Sequence, residues 1–231
     1  NYSPNFDLKK RPSSKIKYLI FHYTGMKSDK SAIKKLTDIN SKVSCHYYID
    51  QKGKIIQMVP ELYVAWHAGQ SSWGKDKSLN KNSIGIEISN PGHQHGYKNF
   101  NKKQIYSLIK LSKKLIKKYS IKNKYILGHS DIAPLRKKDP GEKFPWKILS
   151  KKNIGIWHNY KKKIKNRFID IKSTDLKNEF FFNLRKYGYS INSKSLLDKR
   201  KIVKVFQMRF RPENVNGIID FETYDILKTL K

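Results

Sequence analysis

Hydrophobic residues along the chain first gather at Lys15 to His22 (KIKYLIFH), an apolar run bounded by Pro12-Ser13-Ser14 and Gly25 that predicts a buried strand. The spacing then turns helical, with Ala32, Ile33, Leu36 and Ile39 on one stripe of a short helix over Ser28 to Asn40. Ser44 to Asp50 and Lys54 to Val59 flank the turn Asp50-Gln51-Lys52-Gly53 and predict a β-hairpin. Ser83 to Ser89 (SIGIEIS) alternates apolar and polar positions, as a strand does. Asn101 suits the N-cap of a helix running to about Tyr119, whose face carries Ile105, Leu108, Ile109, Ser112, Leu115, Ile116 and Tyr119. Tyr125 to Gly128 predicts another short strand, and Pro145-Trp146 opens a last helical stretch.

Strands interleaved with helices indicate an α/β domain built on a mixed central sheet, expected over residues 1–160. The Lys-rich stretch that begins at Lys161 reads as a linker over 161–174. From 175 to 231 the pattern is helical only. Asp175 to Tyr187 stops at the C-cap glycine Gly188, Lys194 to Phe210 follows, and Asp220 N-caps a third helix, so a small three-helix bundle is expected.

Charge adds one element to this picture. The chain carries 50 Lys+Arg against 18 Asp+Glu, a formal net charge of +32, and such a field attracts polyanions. The excess is mostly Lys in short scattered groups, together with abundant Asn and Ile, which equally suits a genome rich in A·T codons. No basic patch interleaved with aromatics stands out, so no specific nucleic-acid partner is expected. The single cysteine, Cys45, excludes an internal disulfide framework. No apolar run approaches the roughly 18 residues of a membrane span. The chain opens at Asn1 rather than Met, which is compatible with a removed signal or lipoprotein leader.

Candidate chemistry rests on the histidines. His22 ends the first predicted strand, His129 follows the strand YILG, and Asp139 comes ten residues later in a loop rich in Pro, Arg and Lys. Two His and a carboxylate at strand ends would leave a fourth tetrahedral position open on a metal ion, although a strand-end His is also a common structural residue. Glu87 fits a solvent face of an alternating strand, and Lys137 a solvated charge in a basic loop.

The surroundings narrow these alternatives. FHYTG (21–25), SCHYYID (44–50), WHAG (66–69), NSIGIEISN (82–90) and GHSDIAPLRKKDPGEKFPW (128–146) occur in this order, with SPNFD at 3–7. Together they resemble the zinc N-acetylmuramoyl-L-alanine amidases of the amidase-2 type, in the AmiD/AmpD-like branch, over about residues 1–160. The resemblance implies one Zn²⁺ per chain on His22, His129 and Asp139, with Glu87 as the catalytic carboxylate and Lys137 stabilising the transition state. It further implies hydrolysis of the amide between the lactyl group of N-acetylmuramic acid and L-alanine of the peptidoglycan stem. The related phage-lysozyme branch carries a catalytic tyrosine where this chain has Cys45, which leaves the proton chemistry to Glu87. His46 and His67 either line the substrate groove or pack in the core, and Trp66 either stacks on sugar or is buried. His93, His95 and His158 are expected at the surface. Residues 184–191, 205–217 and 220–230 are similar to a type 1 peptidoglycan-binding module, the alternative being a structural cap on the amidase. The resemblance thus implies a peptidoglycan or muropeptide substrate and a periplasmic or outer-membrane-associated setting, with the cytoplasm as alternative; a monomer is the default expectation. A non-catalytic peptidoglycan-recognition protein is the competing function.

Overall fold

In the structure, a computed structural model that describes residues 2–161, 167–193 and 195–230, sixteen strands and α-helices follow one another. The first half contains β1 (Phe6–Asp7), β2 (Tyr18–Tyr23), α1 (Asp29–Thr37), β3 (Tyr47–Ile49), β4 (Ile55–Gln57), β5 (Val64–Ala65), β6 (Ser72–Trp73), β7 (Asp76–Lys77) and β8 (Ser83–Ile88). Then come α2 (Lys102–Tyr119), β9 (Ile126–Gly128), α3 (His129–Ile132), α4 (Trp146–Ser150), α5 (Thr174–Tyr187), α6 (Leu196–Phe210) and α7 (Phe221–Thr229). No helix among the described residues is long and apolar enough to cross a membrane.

Local chemistry sets the helix ends. Asn101 accepts from the Gln104 N–H while the Gln104 side chain reaches back to the Asn101 N–H, a reciprocal cap that starts α2 at the expected place. Asp220 accepts from the Thr223 N–H to start α7, and Gly188 ends α5 at φ 140°, a backbone that favours glycine. Two expectations shift. The first long strand begins at Tyr18 because Ser13–Lys15 forms a 3-10 turn. Ile39 is 66% exposed because α1 stops at Thr37, before its last expected turn. Residues 162–166 and Lys194, which carry most of the Lys-rich stretch and the expected start of the second C-terminal helix, lie outside the described residues.

Five strands pair in the order β4-β3-β8-β2-β9, antiparallel between β4 and β3 and parallel elsewhere, which gives the expected mixed sheet flanked by helices. One face carries Leu19, Phe21, Ile84, Ile86, Ile88 and Ile126 against α2 and α4. On the other face, Tyr18, Ile20 and Leu127 join a cluster with Trp73, Phe180, Leu184, Phe206 and Phe210, so α5 and α6 cover that part of the sheet. Farther along the same face, Cys45, Tyr48 and Met58 pack against Ala32 and Leu36 of α1. Between these apolar patches the sheet presents its polar side chains.

Candidate active site and metal centre

Strand register brings the key side chains together. On β8 the residues facing away from α2 are Ser83, Gly85 and Glu87, and the parallel register pairs His22 of β2 with Glu87. On the other side, Phe21 pairs with Gly128 of β9, so His129 emerges beside His22 as the first residue of α3. Glu87, His22 and His129 therefore stand side by side at the carboxyl ends of three neighbouring parallel strands, where open α/β sheets place their ligands. Asp139 closes the group from the following loop, whose main chain is tied back by the Ser130 N–H donating to the Asp139 carbonyl at 2.7 Å.

Hydrogen bonds around these residues decide their tautomers. The Ser83 hydroxyl donates to the Leu79 carbonyl (2.5 Å), so toward His67 it accepts, from Nε2–H at 3.0 Å. His67 Nδ1 is then an acceptor and takes the proton of His22 Nε2 at 3.0 Å. His129 Nε2 donates to the Ala68 carbonyl at 3.1 Å. Both ligand candidates are thus left with a bare lone pair on Nδ1. Those two atoms lie 3.0 Å apart and stand 3.1 and 3.0 Å from Asp139 Oδ2. Three acceptors facing one another without a shared proton repel unless a cation sits among them. A tetrahedral ion with N and O ligands at about 2.0–2.1 Å requires ligand atoms about 3.3 Å apart, so the donor set fits a metal ion with small adjustment. Burial, with Asp139 opposing, lowers His22 to about 4 and keeps the ring in its neutral, ligating form.

Beside the triad lies a cleft of about 580 Å³, lined among others by Trp66, His67, Glu87, Lys137 and Asp139. Glu87 Oε2 is buried and has no hydrogen-bond partner among the described residues. Burial first and Asp139 second push the Glu87 carboxyl up to about 8, against the lowering effect of Lys137 and Lys35. A carboxyl in this state takes up and releases a proton near neutral pH.

The other expected site residues divide. Trp66 lines the cleft, with its indole N–H held by Asp7 at 2.8 Å. His67 lines it too but is only 7% exposed, and its ring is spent on the relay between His22 and Ser83. His46 is not brought into the cleft. It is fully buried, accepts from the Gly85 N–H and faces the Tyr63 carbonyl, and burial with Arg11 lowers it to about 3. Cys45 is core filler against Met58.

Of the three histidines expected at the surface, His93 and His95 are exposed, and only His158 departs from that expectation. His93 and His95 line the cleft, and His93 bonds Tyr23 Oη at 2.9 Å and Glu142 at 3.0 Å while stacking on Tyr97. His158 is half-buried, with Nε2 against the Phe210 carbonyl. Sequence reasoning also passed over Arg136, which donates to the same Ala68 carbonyl that orients His129, and Lys35 of α1, which lines the cleft. Their places depend on tertiary packing rather than on any local motif.

Known proteins are similar to this chain in sequence and fold. The chain is 37% identical over 236 residues to the N-acetylmuramoyl-L-alanine amidase AmiD of Escherichia coli, covering 94% of this chain and 82% of that protein. The AmiD structure, a complex with anhydro-N-acetylmuramic acid-L-Ala-D-gamma-Glu-L-Lys, superposes with a TM-score of 0.82 at 34% identity over 97% of this chain and 91% of that one. AmpDh3 from Pseudomonas aeruginosa, in complex with anhydromuramic pentapeptide, gives 0.82 at 30% identity over 98% and 95%. The 1,6-anhydro-N-acetylmuramyl-L-alanine amidase AmpD of Haemophilus influenzae is 32% identical over 62% of this chain and 85% of its own length. Residues 12–142, which carry the whole triad and Glu87, match the family Amidase_2, and the chain belongs to this family of N-acetylmuramoyl-L-alanine amidases.

Proposed function

We propose that the protein is a zinc hydrolase that cleaves the amide between the lactyl group of N-acetylmuramic acid, the 1,6-anhydro form included, and L-alanine of the peptidoglycan stem. The observation that carries this reading is the set of three converging lone pairs on His22, His129 and Asp139, with the unpartnered Glu87 on the neighbouring strand. The substrate class follows from AmiD, whose structure holds such an anhydro-muropeptide and covers nearly the whole chain.

Zinc, when bound, supplies a Lewis acid and lowers the pKa of water toward about 7. The protein's own groups do the rest. His22, His129 and Asp139 hold the ion. Glu87 removes a proton from the attacking water and delivers it to the departing L-alanine nitrogen, a transfer suited to a carboxyl raised to about 8. Lys137, on the cleft wall, sets positive charge against the oxyanion that develops at the scissile carbonyl. Trp66 offers an aromatic face to sugar, and His67 acts through His22 rather than on substrate. The helices from residue 174 onward serve as a peptidoglycan-binding module. Such a module suits a monomer working at the wall, in the periplasm or at the outer membrane.

The test is incubation with muropeptides, with and without a chelator, followed by mass spectrometry. Release of the L-Ala-starting peptide from the glycan, lost on chelation and restored by zinc, is expected. Intact substrate that the protein nevertheless binds would reject hydrolysis in favour of a recognition function.

A further inference from the structure

We infer that the C-terminal helices are part of the catalytic apparatus: Arg209 of α6 and Tyr189 just after α5 clamp Asp131, and thereby position the metal-ligand candidate His129. The inference rests on the zinc-hydrolase reading and adds to it the residues that keep the triad in shape.

The clamp surrounds His129 in the chain. Asp131 stands two residues beyond it in α3, and its carboxylate accepts from the Gly128 N–H at 2.7 Å, closing the β9–α3 corner. The same carboxylate also takes the Arg209 guanidinium on Oδ2 and the Tyr189 hydroxyl on Oδ1. Arg209 Nη2 donates to the Ile126 carbonyl at 3.0 Å, so this one side chain grips the chain on both sides of His129. Its guanidinium lies 4.2 Å from the Trp146 ring, which fixes its plane. Asp131, Tyr189 and Arg209 are each at most 2% exposed.

A second grip acts on the acceptor that orients His129. Ala68, whose carbonyl takes the His129 Nε2 proton, belongs to the cluster that includes Trp73, Tyr189, Phe206 and Phe210. Tyr189 packs edge-on to Trp73 at 4.9 Å, and the Gly74 N–H donates to the Gly188 carbonyl at 2.8 Å. A Cβ at Gly188 would fall 2.3 Å from the indole of Trp73, so the approach is close. A buried ion pair returns little net stability, because desolvation offsets its attraction. What this one fixes is the direction of a short helix that begins with His129.

The bundle contains its own control. Arg211 and Asp220 form a second ion pair, at most 1% exposed, that joins α6 to α7 within the bundle. Among the described residues it makes no bond to α3 or β9, whereas Arg209 does.

The experiment uses the full chain as wild type, Arg209→Met, Tyr189→Phe and the control Arg211→Met. Zinc affinity is read by competition with a chromogenic chelator. Unfolding midpoints, and kcat and KM on a soluble anhydro-muropeptide, are measured alongside. The zinc Kd is expected to rise about 10- to 100-fold in Arg209→Met and by a smaller but measurable factor in Tyr189→Phe, with kcat reduced and KM unchanged. Arg211→Met is expected to lower the unfolding midpoint and leave the zinc Kd as in wild type. A zinc Kd within twofold of wild type in Tyr189→Phe, or an equal rise in Arg211→Met, overturns the inference, and Tyr189→Phe decides alone if Arg209→Met does not fold. A wild type that neither binds zinc nor hydrolyses the substrate overturns the zinc-hydrolase reading instead.

Discussion

Gly85→Ala is the smallest perturbation that reaches the metal centre without touching a ligand. Gly85 lies in β8, and a Cβ built there would come within 2.4 Å of His67 Cγ and 2.5 Å of His67 Nδ1. Carbon atoms rest at about 3.5–4.0 Å, so the ring must retreat by about 1 Å. It has little room. His67 is 7% exposed, lies edge-on to His22 and His46, and is pinned by 3.0 Å bonds to His22 and Ser83. Overpacking of this kind costs about 1–3 kcal/mol. Stretching two hydrogen bonds adds about 0.5–1.5 kcal/mol each, for a total near 2–6 kcal/mol. In a chain of this length that corresponds to a fall in Tm of roughly 4–24 °C. Because the lost bond also fixes the His22 tautomer, zinc affinity should fall by about 10- to 100-fold. Thermal unfolding of the apo-protein and chelator competition on the holoprotein separate the two effects. Wild-type Tm together with wild-type zinc affinity would refute the reasoning, since His67 would then be free to move without consequence. Ser83→Ala, which removes the hydroxyl's bonds to His67 and to the Leu79 carbonyl and adds no bulk, should show a weaker version of the affinity loss.

Glu87→Gln should lower kcat by about 10²–10⁴ while leaving zinc bound, measured by turnover and metal content. The same variant tests the raised Glu87 carboxyl. Folding carries its pKa upward from 4.5 to about 8, so the folded apo-protein holds the extra proton between those values and loses stability as pH rises through them. Apo Glu87→Gln should therefore match wild type near pH 4.5 and exceed it in urea unfolding at pH 9, whereas equal stability at both values would argue against the burial effect. Lys137→Met should reduce kcat by about 10²–10³ with a small change in KM. A rise in KM alone would mark Lys137 as a binding residue.

Parts of this architecture are written locally in the chain, and α2 is the plainest case. Asn101 and Gln104 carry the start of the helix in their side chains, and the apolar stripe from Leu108 to Leu115 carries its orientation. The pairing of His22 with Glu87 is different. Each residue is visible as the end of a strand, but their adjacency depends on β2–β8 register, which parallel strands set through distant packing. The motif resemblance therefore supplied for Glu87 what pattern alone assigned to a solvent face. His46 shows the opposite limit: its motif left groove and core equally open, and only the fold places its ring in the core, on the Gly85 N–H. His93 is a surface residue as expected, but its partners Tyr23 and Glu142 lie far away in sequence, so its place at the cleft was not legible in the chain.

The apolar cluster that joins Tyr18, Ile20 and Leu127 to Phe180, Phe206 and Phe210 has a consequence for how the molecule is made. Synthesis releases the chain from its N-terminus, so β2 emerges first, then its partners β8 and β9, and only later α6, which completes its covered face. Until that helix is free, the central strands lack part of the packing that consolidates them. Assembly of the cleft is thus a late event in the life of each nascent chain. This order delays the amidase until the last helices have arrived.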